Sequence, residues 1–100
     1  MIILAQVSDS ATLVGTTPLK AGTVLERSGN NYKALTVANN ADAILLKDTT
    51  PTALGVVCPI AVGGVVEFID EAELYLPTGI TAKLIQLPLR KLGLYLKGVN

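Results

Sequence analysis

The stretch Leu54-Gly55-Val56-Val57-Cys58-Pro59-Ile60-Ala61-Val62-Gly63-Gly64-Val65-Val66-Glu67-Phe68-Ile69 decides the fold class of this chain. Residues 54–62 are nearly all apolar and lack polar alternation. They read as a strand covered on both faces, central in a sheet or pressed against another subunit. Pro59 removes one ladder donor and pushes the run toward an edge or a bulge. Gly63-Gly64 then reads as a turn into 65–69, which makes the whole stretch a β-hairpin.

The same punctuation repeats upstream. Residues 23–27 and 32–37 flank Ser28-Gly29-Asn30-Asn31, a second hairpin, with Tyr32, Ala34 and Thr36 on one face and Lys33, Leu35 and Val37 on the other. Asn39-Asn40 turns the chain, Ala43-Ile44-Leu45-Leu46 is a short buried run, and 47–52 is a polar surface loop closed by Pro51. Downstream, Pro77-Thr78-Gly79 breaks the chain before 81–87, where Ile80, Leu84 and Leu87 fall at helical spacing. Pro88 clashes with the carbonyl four residues back, so a single straight helix over 81–92 is not expected, and a helix of about two turns should kink or break there. A last strand follows, with Leu92, Leu94 and Leu96 on one face and Lys91, Tyr95 and Lys97 on the other. The expected fold is mainly β: a small barrel or tulip-like domain of short strands and hairpins with one short helix near residues 80–88. Residues 1–17 read as an N-terminal arm or edge strand, and residues 18–100 as a single β-rich domain.

One hundred residues make one domain. Half of them are apolar before nine glycines are counted, and only 16% are charged, against about 25% in ordinary soluble domains. Disorder is excluded by that hydrophobicity. Eight Lys and Arg against eight Asp and Glu leave no cationic surplus for phosphates, which argues against a nucleic-acid partner. The start of the chain lacks a basic leader region, and nothing approaches a membrane span, so no membrane partner is expected.

The same residues leave little for catalysis. Without His there is no imidazole base and no His–metal site. Cys58 alone makes neither a disulfide nor a thiolate zinc site, and reads as a buried structural thiol. Glu67, Asp70, Glu71 and Glu73 lack the loop pattern of a calcium site. With Arg90 and Lys91 they read better as solvated charges, or as pairs across a subunit boundary. No cofactor or metal is expected, and the chain is not expected to be an enzyme. The apolar surplus is the informative feature, because a globule this small cannot hide it all and large exposed patches mark interfaces. An interface removing on the order of 1,500 Å² of apolar surface is worth tens of kcal/mol gross at ~25 cal/mol per Å². Ile2, Ile3, Leu4, Gln6 and Val7 are the first candidates for contact, since such a terminus frays unless docked.

The segments Ala21-Gly22-Thr23-Val24-Leu25, Gly29-Asn30-Asn31-Tyr32-Lys33 and Asp42-Ala43-Ile44-Leu45-Leu46 resemble the head-decoration proteins of tailed bacteriophages, lambda-like members included. The Gly63-Gly64 segment with its Val-Glu continuation and the closing Leu92-Gly93-Leu94-Tyr95-Leu96 fit the same order, so the likeness runs from about Pro18 to Leu96. The resemblance implies a homotrimer that sits on the outside of the expanded head. There it binds the major capsid protein and stabilises the shell against packaged DNA, without catalysis and without touching nucleic acid. It further implies residence on the virion surface, and in the host cytoplasm during assembly. The lambda-like members carry a longer polar arm; here the preceding residues are apolar, suited to adding a strand to the capsid protein. Another virion part (tail, baseplate or fibre base) is the alternative, and a small-ligand-binding barrel stands further off.

Overall fold

The computed structural model describes residues 2–69 and 71–99, with side-chain surroundings described for residues 7–69 and 72–99. Six strands form one sheet: β1 (Ile2–Leu13), β2 (Val24–Ser28), β3 (Asn31–Ala34), β4 (Ala41–Leu45), β5 (Val56–Glu67) and β6 (Leu94–Lys97). Their order is β1-β3-β2-β4-β5-β6, and β1 also pairs with β5, so the first five strands close a barrel. One helix, α1 (Ala82–Lys91), packs outside it. The mainly β barrel with one short helix agrees with the reading of the sequence.

The β2–β3 hairpin forms where the turn residues place it. Ser28 pairs with Asn31, and Gly29 takes φ 63° at the first position of a two-residue loop, where glycine's positive φ matches the strands' twist. The second strand ends at Ala34, short of the expected Val37, because the N–H groups of Thr36 and Val37 go to the Glu26 carboxylate instead of a ladder.

Two cores share the barrel wall. Inside the barrel lie Ala11, Leu13, Leu25, Ala43, Leu45, Cys58 and Ile60. Outside it, Val24, Ile44, Ala61 and Val66 meet Ile85 and Leu89 of α1, with Phe68, Leu94 and Leu96. Successive residues of β4 therefore serve opposite cores, which is why Ala43, Ile44 and Leu45 are all fully buried.

Three expectations are corrected. Gly63-Gly64 is not a hairpin turn: residues 56–67 are one strand, paired antiparallel with β1 from Ile2↔Glu67 to Leu13↔Val56. The glycines instead serve a bulge, since Val7 opposes Gly63 while Ser8 opposes Ala61, and bulges bend a strand. There β5 exchanges β4 for β6 as its second neighbour. A Cβ on Gly63 would sit 3.4 Å from the Val7 side chain. Nor are residues 54–59 covered on both faces within the chain; that cover begins only at Ile60 and Ala61, which are buried in opposite cores. Leu54 is 96% and Val57 72% exposed, with Pro59 exposed beside them, while Cys58, Ile60 and, less deeply, Val62 of the alternating set face inward.

The third correction concerns Pro88, which lies inside α1 and does not end it. It removes one hydrogen bond, to the carbonyl of Leu84, on the side of the helix that faces solvent. The helix stops a turn later at Gly93 (φ 86°), whose N–H bonds the carbonyl of Arg90. Its buried stripe is Ala82, Ile85 and Leu89, not Ile80, Leu84 and Leu87. Leu92 caps the helix and is half-exposed, so only Leu94 and Leu96 of the last strand's apolar face are buried.

Candidate interaction surfaces

The barrel interior is filled by side chains from its walls, with Leu13, Leu25, Leu45 and Ile60 at or below 1% exposure. Cys58 lies among them, and burial pushes its thiol up from the ordinary range; a thiol so placed is a poor nucleophile. Among the described residues no group of three or more His, Cys, Asp or Glu could hold a metal ion. No helix there is long and apolar enough to cross a membrane.

Among the uncovered apolar side chains, two groups stand side by side on single elements or faces. On α1, Leu84 is 52% and Leu87 61% exposed, one turn apart and opposite the buried stripe. On the sheet, β5 and β1 run on past the barrel, and β6 joins them at Gly64↔Leu94 through Glu67↔Lys97. Val7 opposes Gly63 and Val65 pairs with Tyr95, so these three side chains share one face. Val7 and Tyr95 are exposed and Val65 is half-buried. The opposite face of the same strands, through Val66, Leu94 and Leu96, is covered by the helix.

The residues singled out from the sequence fall as follows. Ile2, Ile3, Gln6 and Val7 pair in β1 with Glu67, Val66, Gly64 and Gly63 of β5, and Leu4 is the extra residue at a bulge between Ile3 and Ala5. The side chains of Ile2, Ile3, Leu4 and Gln6 lie outside those described. Among the described residues β3 meets β1 only at Leu13, so residues 2–10 have a neighbouring strand on one side.

Of the charged set, Glu67 pairs with Lys97 of its own chain at 3.7 Å. Asp70 lies outside the described residues, Glu71 and Glu73 bound a short 3-10 turn (Glu71–Glu73), and Glu73 is half-buried. Arg90 and Lys91 are exposed in the last turn of α1, where cations offset the negative helix end. Among the described residues no ion pair joins them to the acidic segment.

Two features had no usable signal in the sequence. The first is Glu26, 4% exposed at a bulge between β2 and β4. Its Oε1 accepts from the Thr36 hydroxyl at 2.6 Å, the Thr36 N–H and, at 3.3 Å, the Val37 N–H. Burial by itself raises this carboxyl, but those three donors with Lys33 outweigh it and hold the group below the ordinary Glu range. The second is an open groove of about 720 Å³ between the 3-10 turn Ala38–Asn40 and the end of α1, lined by Arg27, Asp42, Lys91 and Leu92 among others. Arg27 stacks 5.8 Å from the Tyr32 ring centroid. Burial first, then the Asp42 carboxylate, raise the Tyr32 hydroxyl above its usual range. An apolar groove of about 370 Å³ lies elsewhere, lined by Pro18, Leu19, Leu35, Tyr75 and Pro77 among others.

No protein-family model and no curated protein matches this chain.

Proposed function

We propose that this chain is a capsid decoration protein of a tailed bacteriophage, acting as a homotrimer bound to the major capsid protein on the outer surface of the expanded head. The observation that carries the reading is the apolar surface left over when both cores are full. Ten large apolar side chains remain exposed among the described residues. Single exposed apolar residues are ordinary, but four of these form two small groups, Leu84 with Leu87 on one helix face and Val7 with Tyr95 on one sheet face, and grouped apolar side chains are a mark of interfaces. A cementing protein needs contact area and a stiff frame rather than reactive groups. The doubly packed wall supplies such a frame, and many weak contacts multiply across a shell through avidity. The sequence likeness to head-decoration proteins points the same way. The filled barrel lumen favours this reading over a barrel that carries a small ligand inside.

The test is direct. Purified protein is mixed at saturating concentration with bare expanded heads of its own phage and imaged by electron cryomicroscopy. Density at the three-fold and quasi-three-fold positions is expected, and heads that stay bare there reject the proposal. Density on the tail or baseplate of intact particles would instead identify another virion part.

A further inference from the structure

We propose that the free edge of β6 in one copy of this chain pairs antiparallel with the free edge of β1 in the next copy, with Tyr95 opposite Val7. The inference rests on the trimer reading above and names its seam.

Past the barrel, β1, β5 and β6 form a three-stranded ribbon. Among the described residues, no further strand lies outside residues 2–10 of β1 or outside β6. Sheet edges are ordinarily guarded by charged side chains or proline, and residues 2–8 contain neither. The ladder shows which backbone groups the two edges present. The Gly64 N–H goes to the Gly93 carbonyl at 2.9 Å and the Phe68 N–H to the Lys97 carbonyl at 2.8 Å, so both point toward β6. Gln6 stands opposite Gly64; its own N–H and C=O therefore point away from β5, and by alternation so do those of Ser8. On the other side, the Gly93 and Lys97 carbonyls face β5, which turns the N–H and C=O of Leu94 and Leu96 outward. Each edge thus offers two residues, two positions apart, with a donor and an acceptor on each.

These two edges fit one another in a single antiparallel register, Leu94 opposite Ser8 and Leu96 opposite Gln6. A shift of two residues one way sets Leu94 against Ser10, whose N–H is held by the Asp9 carboxylate at 2.8 Å. A shift the other way sets Leu96 against the bulge at Leu4. The register that is left puts Tyr95 directly opposite Val7. Both side chains are exposed and lie on the same face of the ribbon, so they form an aromatic–β-branched pair across the seam. The exposed row Val7, Val65, Tyr95 then runs on from copy to copy. This fit selects a second copy as the occupant, because every chain carries one edge of each kind, matched in spacing, in direction and in apolar face. The direction follows from the ribbon itself: β1 runs antiparallel to β5 and β6 parallel to it, so rotation about an axis along the strands brings β6 antiparallel to the neighbouring β1. Joining unlike edges is a heterologous contact, and such a contact closes into a ring, as three subunits about an axis require. Pairing β1 with its own copy about a two-fold would leave both β6 edges open.

The test uses two single-cysteine additions, Val7→Cys and Tyr95→Cys, each made in the full chain with buried Cys58 left in place. Residues opposed at a non-hydrogen-bonded pair have Cα atoms about 4.5 Å apart, within reach of a disulfide. The two variants are co-refolded, oxidised mildly and run on a non-reducing gel. A disulfide-linked dimer is expected from the mixture and from neither variant alone. In parallel, Gln6→Pro removes an N–H that points away from β5, a place where an edge strand accepts proline. It is expected to sediment as a 10.4 kDa monomer with an unchanged far-UV spectrum. If it fails to fold, Ser8→Pro is read the same way, and if both fail the crosslink decides. A wild-type chain that is monomeric at saturating concentration ends both the seam and the trimer. A wild-type trimer that gives no mixed crosslink, or that survives the proline, ends the seam alone. A crosslink in Val7→Cys by itself would mean that β1 pairs with β1, and proline variants that stay trimeric but no longer decorate heads would assign the edge to the shell; either result overturns the seam.

Discussion

Replacing Glu26 with Gln keeps the shape of the side chain and removes its charge, so it isolates what the buried carboxylate contributes. Three donors converge on one oxygen, and the amide oxygen of Gln can still accept from them. What is lost is charge assistance, which roughly doubles the strength of a hydrogen bond. With charged-group bonds worth about 1.5–3 kcal/mol, halving the two from Thr36 gives up to about 3 kcal/mol. Thr36 and Val37 are themselves exposed, so water competes, and a loss of about 1–1.5 kcal/mol is the better figure. For a domain of this size that lowers Tm by roughly 5–10 °C.

The loss should depend on pH in one direction. The folded-state carboxyl is held below its ordinary value of 4.5, so its stabilisation is fully present above about pH 5. It disappears as the pH falls through the folded-state value. Urea melts of the two proteins should therefore differ at pH 7 and converge as the wild-type group becomes protonated. Equal stability at pH 7, or a gap that persists unchanged at pH 3, would falsify the account of Glu26 as a charged clasp.

Other expectations follow from single residues. Gly22 has φ 98°, and a Cβ there would run into the carbonyl oxygen of Glu73. Gly22→Ala should cost about 3 kcal/mol in a thermal melt, from left-handed strain of about 1–2 kcal/mol plus the displaced backbone. Pro88→Ala restores a helix donor near the Leu84 carbonyl and should raise stability by about 1–2 kcal/mol, after the added freedom of the unfolded chain is subtracted; a lower Tm would show that the ring packs to greater effect than its missing N–H. Cys58 should react with a thiol reagent only on the timescale of unfolding, since it is 3% exposed and its thiol is pushed up. Rapid labelling of the native protein at pH 7 would mean that the barrel opens locally.

Local chemistry was the part legible in the sequence. The β2–β3 hairpin followed from Gly29-Asn30, and β4 followed from the run of four apolar residues 43–46, because each is fixed by a few neighbouring side chains. What failed depended on distant partners. Gly63-Gly64 looks like a turn in isolation, yet β1 is long enough to pair along both sides of it and pulls the glycines into a bulge. Pro88 looks like a helix end, but Leu89 beyond it is buried against the barrel and holds the last turn in place. The exposed stripe on α1 was misjudged for a related reason. Leu84 and Ile85 are equally apolar, and only the position of the barrel decides which faces inward. Glu26 gave no warning, since its donors come from the turn after the next strand. The interaction surfaces were legible as an excess of apolar residues but not as places.

The pairing of β1 with β5 sets an order of events at birth. Leu13 meets Tyr32 of β3 early, but Thr12 has no strand partner until Val57 has been made, and Ile2 none until Glu67. Most of β1 thus waits for a strand that is made more than forty residues later. Pairings so remote along the chain form slowly, and an unmatched apolar strand is open to wrong neighbours in the meantime. Every copy therefore passes through an interval, set by the rate of translation, in which a chaperone has something to hold.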